Sequence, residues 1–395
     1  MKKSFFVEVN KNKYRIINKF ALLIFFLILI VKINFRNISY IYNKYKICYT
    51  NENDDIIELN YYTEFDKIKT RLFKDSFFRP YLKEINILYY IYHKNTILKK
   101  NLTNIHICMS LNEKYLYPLL VSAESIIFNI NTKKTFITYH ILCTPDIKQT
   151  SILKMKCLIK KSLNIEIIFY NMGNNFMNHK YEHLSPAAYY RLLTPIFIDV
   201  NRLMHLDGDT LTLKDLGKVY QIEFNDNYVL GFLDYSKDCE KLEIRNEKYI
   251  NDGVILLNME KIRKDKKAYD LINMVINNTK LPKHDQTIIN KVFYPNIGLL
   301  PFKYGIWNFK NKLDIINYSK RLKQNINITE LEEAIKDPGI LHNVRSIPKI
   351  WLKIYKYRFI KRNRKIEKNY FIKYYDLWQF YAKKNYFYDE MKKKF

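Results

Sequence analysis

The feature that most constrains this chain is an alternation of short apolar runs with helix-length segments between residues 104 and 170. The runs Ile105–Met109, Phe136–Leu142 and Ile165–Tyr170 have the length and composition of β-strands. Leu116–Phe128, between the first two runs, has helical spacing of its apolar residues. Strands that alternate with helices are typical of a parallel sheet with crossover helices. We therefore predict an α/β fold, in which ligands bind beyond the carboxyl ends of the strands.

The loop after the first predicted strand is the expected nucleotide site. Asn112 and its neighbours lie just beyond the strand end, where nucleotides bind in sheets of this kind. The sequence contains neither a GxGxxG nor a Walker motif, so the usual glycine-rich phosphate loops are excluded. A bound phosphate would therefore need another source of positive charge.

A divalent metal ion bound by Asp207-Gly208-Asp209 is the candidate source of that charge. The aspartates follow a strand-like run, 203–206, and one residue separates them. Such a pair can place both carboxylates on one Mg²⁺ or Mn²⁺ ion, which would bridge a diphosphate and stabilise its departure. The same residues also suit a turn. A further alternative is a haloacid-dehalogenase-like phosphatase with Asp207 as nucleophile, although Leu211 stands where those enzymes have Thr.

An uncharged apolar run, Phe20–Val31, follows a basic N-terminal segment. With its flanks it approaches the length that spans a bilayer, and no small-residue cleavage site follows it. We predict an uncleaved signal anchor and a cytoplasmic N-terminus. The chain would then be a single-pass type II membrane protein of the Golgi or endoplasmic reticulum, with a lumenal catalytic domain. A buried core helix is the alternative.

The rest of the organisation follows from changes in composition. The predicted parts are a cytoplasmic basic segment (1–16), the signal-anchor transmembrane helix (17–33), a polar stem (34–103), a catalytic domain (104–351) and a basic, aromatic, helical C-terminal tail (352–395). The net charge of +28 is dispersed except in the tail, which predicts a solvated surface and no nucleic-acid partner. A basic helix on a membrane or near acidic glycans is the alternative for the tail. The 5 cysteines lack CxxC spacing, which argues against a zinc site.

From about residue 104 to 351 the chain resembles glycosyltransferase family 8, which includes lipopolysaccharide galactosyl- and glucosyltransferases and glycogenin. The matching segments occur in consistent order along the chain. They are Ile105–Tyr115 for the first strand and uridine loop, Ser185–Leu193 for the helix whose arginine approaches the donor, LMHLDGDTLTLKDL at 203–216 for the metal segment, Asn251–Asn258 for the N-x-G-hydrophobic-N strand, His284–Gln286 for an acidic–Gln pair, and His342 with Lys349 and Trp351 for the closing motif.

The resemblance implies a GT-A fold, which is a Rossmann-like, mixed and mostly parallel sheet with helices on both faces. It also implies retaining transfer of a hexose from a UDP-sugar, with Mn²⁺ (or Mg²⁺) bound by Asp207, Asp209 and His342. Lys349 would hold a phosphate as a point charge. The acceptor would be a glycan, glycoprotein or glycolipid. The other residues that would contact the donor are Ser110, Asn112, Lys114, Tyr115, Arg191, Gly208, Asp234, Asn251 and Asp252.

These residues have distinct implied roles. Asn112, Lys114 and Tyr115 would frame the uracil, and Asp234 and Asn251 would bind sugar hydroxyls. Arg191 would either approach the donor or form a structural salt bridge. Asp252 replaces a small residue that is usual in the family, and its role is open.

Asp285 and Gln286 are the predicted catalytic residues and would face the transferred sugar. We expect a front-face displacement in which the departing β-phosphate takes the acceptor proton and Gln286 stabilises the oxocarbenium-like charge. The protein would then supply positioning and electrostatics. The sequence departs from the family pattern at 112–114 and 343–350. An inactive, membrane-tethered binding protein is therefore the alternative function.

Overall fold

The computed structural model describes residues 65–70, 74–91, 102–158, 161–177, 185–236, 238–277, 281, 283–307, 312–322, 327–343, 349, 351 and 370–395. All of them belong to one compact unit, Asn51–Phe395. The predicted cytoplasmic segment and signal anchor, 1–33, lie outside the described residues, as does the predicted stem up to residue 64.

The main sheet has eight strands in the described part of the chain, in the order β1-β4-β3-β2-β5-β8-β7-β9. Its strands are β1 Asn86–Ile91, β2 Thr103–Leu111, β3 Thr135–Cys143, β4 Ile165–Asn171, β5 Arg202–Leu206, β7 Val229–Leu233, β8 Ile250–Asn258 and β9 Ile297–Leu299. Strands β4, β3, β2 and β5 run parallel to their neighbours in that series, whereas β1 and β8 are antiparallel additions. The predicted mixed, mostly parallel α/β sheet is therefore confirmed.

A second sheet of three short strands brings distant parts of the chain together. It consists of β10 Tyr304–Trp307, β11 Ile340–His342 and β6 Thr210–Thr212, in that order. Strand β11 runs antiparallel to β6, and this pairing sets His342 opposite Thr210. The end of the chain segment around 340 is thereby fixed beside the Asp-x-Asp turn.

Helices cover the sheets. They are α1 Arg79–Glu84, α2 Leu116–Asn129, α3 Gln149–Lys156, α4 Thr194–Phe197, α5 Gly217–Tyr220, α6 Met259–Lys264, α7 Lys267–Asn277, α8 His284–Phe293, α9 Lys312–Leu322, α10 Ile328–Lys336, α11 Tyr370–Lys384 and α12 Tyr388–Lys394, with 3-10 helices at Pro186–Leu193 and Asn246–Lys248. Every residue of β3 is buried, as expected for a central strand with both faces covered.

The C-terminal helices pack on the fold through their aromatic residues. Trp378 and Tyr381 of α11 are buried, and so is Met391 of α12. The Tyr381 hydroxyl accepts a 2.8 Å hydrogen bond from Asn129 Nδ2 at the end of α2. Lysines dominate the last turn of α12, which ends in Lys392, Lys393 and Lys394. The tail thus combines an apolar inner face with basic outer positions.

The predicted localisation requires a correction. No helix within the described ranges is long and apolar enough to cross a membrane, so the prediction of a single-pass type II protein of the Golgi or endoplasmic reticulum is wrong on this finding. The segment 17–33, on which that prediction depended, lies outside the described residues.

Candidate functional site

A pocket of about 350 Å³ opens beyond the ends of β2 and β5, at the edge of the sheet predicted from the sequence. Its walls contain all but one of the predicted site residues, the exception being Asp234. The lining residues are Ser110, Asn112, Lys114, Tyr115, Ser185, Ala187, Ala188, Arg191, Asp207, Gly208, Asp209, Asn251, Asp252, Asp285, Gln286, His342 and Lys349.

The chain turns sharply between β5 and β6, and this turn carries the two aspartates. The Asp207 carbonyl accepts hydrogen bonds from the Thr210 N–H at 3.1 Å and from its hydroxyl at 2.9 Å. The Asp207 N–H donates to the Gly253 carbonyl on β8 at 2.8 Å. The motif therefore forms a turn, and this turn presents the two carboxylates. The two interpretations of the motif, as a turn and as a metal site, are compatible.

Asp207, Asp209 and His342 form the candidate metal centre. One ligand atom of each lies within 4.8 Å of the others. His342 Nε2 is 3.1 Å from Asp209 Oδ1 and 3.4 Å from Asp207 Oδ2. Two carboxylates and one imidazole are a suitable donor set for Mn²⁺, although the set alone does not fix the identity of the ion.

Gly253 shows how tightly the surroundings enclose this centre. A Cβ atom built at Gly253 would lie 2.0 Å from His342 Cε1 and 2.6 Å from Asp207 Oδ2. Any larger residue would displace two of the three candidate ligands. The residues present therefore fit a bound divalent cation, with β8 forming the floor of its site.

The electrostatics of the centre separate its two histidines. Burial lowers the pKa of His342, but Asp209 and Asp207 outweigh burial and raise it to about 9. Burial and the charge of Arg191 lower the pKa of His205 to about 4. His342 is thus a cation at neutral pH when no ion is bound, whereas His205 is neutral, although both contact Asp207.

The pKa values of the two aspartates are both lowered. Burial would raise the pKa of Asp207, but Arg191 and the two histidines hold it well below its usual range. Burial also opposes ionisation of Asp209, and Lys349 and His342 lower its pKa nevertheless. Both carboxylates are therefore ionised and ready to bind a cation at neutral pH.

Arg191 lies beneath the centre and contacts three carboxylates. Its Nη2 atom is 2.7 Å from Asp207 Oδ1, its Nη1 atom 3.3 Å from Asp252 Oδ2, and its Nε atom 3.2 Å from Asp285 Oδ2. Nη1 also donates to the Asp252 carbonyl at 2.6 Å. Of the two roles open for Arg191, this arrangement favours the structural one, since the guanidinium holds protein carboxylates in place.

Asp252 and Asp285 lie side by side on Arg191. Burial and the neighbouring Asp285 raise the pKa of Asp252 well above its usual range. Burial likewise raises the pKa of Asp285, against the effect of Arg191. Burial and the closeness of the two carboxyl groups therefore both favour the protonated form of Asp252.

Gln286 is held from two sides. Its Nε2 donates to Asp234 Oδ2 at 2.8 Å, and its Oε1 accepts from Asn251 Nδ2 at 3.2 Å. Asp234 therefore lies behind Gln286 and outside the pocket wall. The expectation that Asp234 binds a sugar hydroxyl would have placed it in that wall. Asn251 and Gln286 both face the pocket.

The expected uracil side of the pocket has its own polar groups. Asn112 Oδ1 accepts from the Tyr115 N–H at 3.0 Å, which closes the loop after β2. The ring of Tyr115 packs edge-on against Trp351, with centroids 6.1 Å apart. Ser110 Oγ is buried without a hydrogen-bond partner among the described residues, as expected for a group that awaits a ligand.

Lys349 lies beside the centre, with its Nζ 2.6 Å from Asp209 Oδ2 and 2.8 Å from the Asn343 carbonyl. Sequence reasoning did not single out three small residues of the pocket wall, Ser185, Ala187 and Ala188. It also did not single out His205 and Gly253, which contact the candidate metal centre. For Gly253 the N-x-G motif was a usable signal. For the small residues there was none, because they contribute space and not a functional group.

The sequence model of the family described as glycosyl transferase family 8 matches residues 106–354. Among curated proteins, general stress protein A of Bacillus subtilis (strain 168) is 28% identical over 33% of this chain and 49% of its own length. Lipopolysaccharide 1,2-glucosyltransferase of Escherichia coli is 26% identical over 53% of this chain and 65% of its own length. The chain thus spans about half to two thirds of the length of these relatives.

Solved structures show the same fold. The bifunctional glycosyltransferase WbbM, in its apo form, superposes with a TM-score of 0.60 at 18% identity, over 73% of this chain and 51% of that one. The galactosyltransferase LgtC, in complex with donor and acceptor sugar analogues, gives a TM-score of 0.50 at 18% identity, over 69% and 95% of the two chains. With the family match over most of the folded unit, the conclusion is direct: this chain is a member of glycosyltransferase family 8.

Proposed function

We propose that this glycosyltransferase transfers a hexose from a UDP-sugar, with Mn²⁺ bound at Asp207, Asp209 and His342 and with retention of configuration. The observation that carries the proposal is the convergence of these three side chains at the wall of the pocket. The acceptor would be a glycan, glycoprotein or glycolipid. The name of the E. coli relative, a glucosyltransferase, supports a hexose as the transferred group.

The proposed diphosphate position lies between the centre and Lys349. When bound, Mn²⁺ would supply positive charge that stabilises the leaving diphosphate. Lys349 is positioned to add a second positive charge, because its ammonium is held beside the centre by Asp209 and by the Asn343 carbonyl. Asp207 and Asp209 are held ionised by Arg191 and Lys349, so they bind the ion without a prior loss of protons.

The opposite side of the pocket would receive the sugar. Gln286 has its amide oriented by Asp234 and Asn251, which suits a group that stabilises developing positive charge through its dipole. Asp285 is anchored on Arg191. The proposed chemistry depends on positioning, with the departing phosphate taking the acceptor proton.

The test is UDP release from a panel of UDP-hexoses with and without Mn²⁺. We expect turnover that requires the metal and that falls more than about a hundredfold in Asp207→Asn, because a candidate ligand is lost. Asp226→Asn is the matched control, since the Asp226 side chain is 80% exposed and pairs with Lys261 on the surface. If the wild-type protein released no UDP from any donor, the inactive binding protein would become the better interpretation.

A further inference from the structure

Two consecutive residues directly before the predicted catalytic pair adopt a left-handed backbone. Lys283 has φ 53° and His284 has φ 49°. Residues other than Gly, Asn and Asp rarely adopt this backbone conformation, because their Cβ atom approaches the backbone too closely. Lys283 occupies the N-cap position of α8 without a side-chain capping bond. Helix capping therefore does not account for a lysine here, and strain of this kind often marks a functional position.

The left-handed turn brings the Lys283 ammonium to Asp234. Nζ lies 3.0 Å from Asp234 Oδ2 and also donates to the carbonyl of Tyr235. It sits 5.1 Å from the ring centroid of the fully buried Tyr249. The side chain of Asp234 is 6% exposed, whereas that of Lys283 is 38% exposed. Lys283 thus covers a buried carboxylate from the solvent side.

Asp234 uses both carboxylate oxygens for protein contacts. Oδ1 accepts the Tyr235 N–H at 2.5 Å, and Oδ2 accepts Gln286 Nε2 at 2.8 Å in addition to Lys283. The Asp234 N–H donates to the Tyr249 carbonyl at 2.9 Å. A buried carboxylate is costly unless a cation compensates its charge, and Lys283 is the cation that the structure pairs with it.

This pairing determines which way the Gln286 amide points. An ionised Asp234 accepts hydrogen bonds only, so it selects the NH2 end of the amide. The oxygen Oε1 is then directed to Asn251, a residue of the pocket wall. If Asp234 moved or lost its charge, the amide would lose the contact that distinguishes its two ends.

We propose that Lys283 is a positioning residue for sugar transfer, which acts through Asp234 to hold the Gln286 amide with its oxygen on the Asn251 side. The proposal rests on the proposed function, in which Gln286 faces the transferred sugar. Lys283 itself lies outside the pocket wall and touches no predicted donor contact other than Asp234.

Lys283→Gly tests the proposal, because glycine accepts the left-handed backbone and removes only the side chain. Lys266→Gly is the matched control: Lys266 is exposed, has φ 55°, and lies between α6 and α7. We expect Lys266→Gly to melt within about 3 °C of the wild type, since strain relief and added chain entropy oppose each other. Lys283→Gly should melt lower, because it leaves the buried Asp234 carboxylate without its compensating cation. We expect Lys283→Gly alone to lose kcat for hydrolysis of UDP-glucose or UDP-galactose, by about tenfold to a hundredfold at little-changed KM. Lys283→Arg should recover most of that loss.

A full kcat in Lys283→Gly, or an equal loss in Lys266→Gly, would overturn the proposal. A crystal structure of Lys283→Gly gives a second criterion that needs no turnover. There the Asp234–Gln286 hydrogen bond should be broken or the Gln286 side chain rotated, and an unchanged Gln286 would sink the proposal. An inactive wild-type protein would instead count against the proposed function, and the structural criterion would still decide the role of Lys283.

Discussion

Binding of Mn²⁺ to this protein should release about one proton at pH 7, and the proton should come from His342. The pKa of His342 is about 9 without a bound ion, because Asp207 and Asp209 surround it. At pH 7 the imidazole is therefore about 99% protonated. A metal needs the free nitrogen lone pair, so ion and proton compete for the same atom. Between pH 6 and 8 the apparent Mn²⁺ affinity should rise about tenfold per pH unit.

The assay is isothermal titration calorimetry in buffers of different ionisation enthalpy, which counts the protons released on binding. His342→Gln removes the titrating group, so the proton count should fall to near zero and the affinity should become almost independent of pH. His205→Gln is the control, because His205 also contacts Asp207 but its pKa of about 4 leaves it neutral throughout the range. The reasoning fails if the wild type releases no proton, or if His342→Gln releases as many as the wild type.

Further predictions concern the floor and the support of the site. Gly253→Ala should weaken Mn²⁺ binding at least about tenfold by calorimetry, because the new Cβ would displace His342 from its position 2.0 Å away; an unchanged affinity would contradict this. Asn290→Ala should lower the free energy of unfolding in urea by about 2–3 kcal/mol, since the buried side chain bonds both the N–H and the carbonyl of Ile250 at 2.8 Å. Asn296→Ala, which removes solvent-exposed bonds, should cost less than about 1 kcal/mol, and equal losses in the two variants would refute the argument.

The elements of the fold that could be predicted are those with a strong local signal. The runs at 105–109, 136–142 and 165–170 correspond to β2, β3 and β4, because a buried parallel strand needs a continuous apolar segment. The strands β6, β10 and β11, of three or four residues each, carry no readable periodicity, and their pairing depends on contacts between segments far apart in the chain. Strand β1 was not predicted either, because it lies in the segment that composition assigned to a polar stem.

The candidate site shows the same division. The order of the motifs predicted that Asp207, Asp209 and His342 share one metal ion, and the structure places their side chains in one cluster. The role of Arg191 could not be settled from the sequence, because its three carboxylate contacts come from three separate segments. Lys283 gave no signal at all, since a left-handed backbone at a lysine is a property of the folded chain.

Because β11 pairs with β6, the candidate centre is complete only after the chain has been synthesised beyond β11. His342 lies beside Asp209 only when Ile340, Leu341 and His342 are aligned with Thr212, Leu211 and Thr210. A slip of one position would turn the imidazole to the other face. During synthesis, a nascent protein that ends before residue 340 would display two carboxylates and no third donor. Competence to capture the ion would thus report that translation has passed this point and that the late strand has docked correctly.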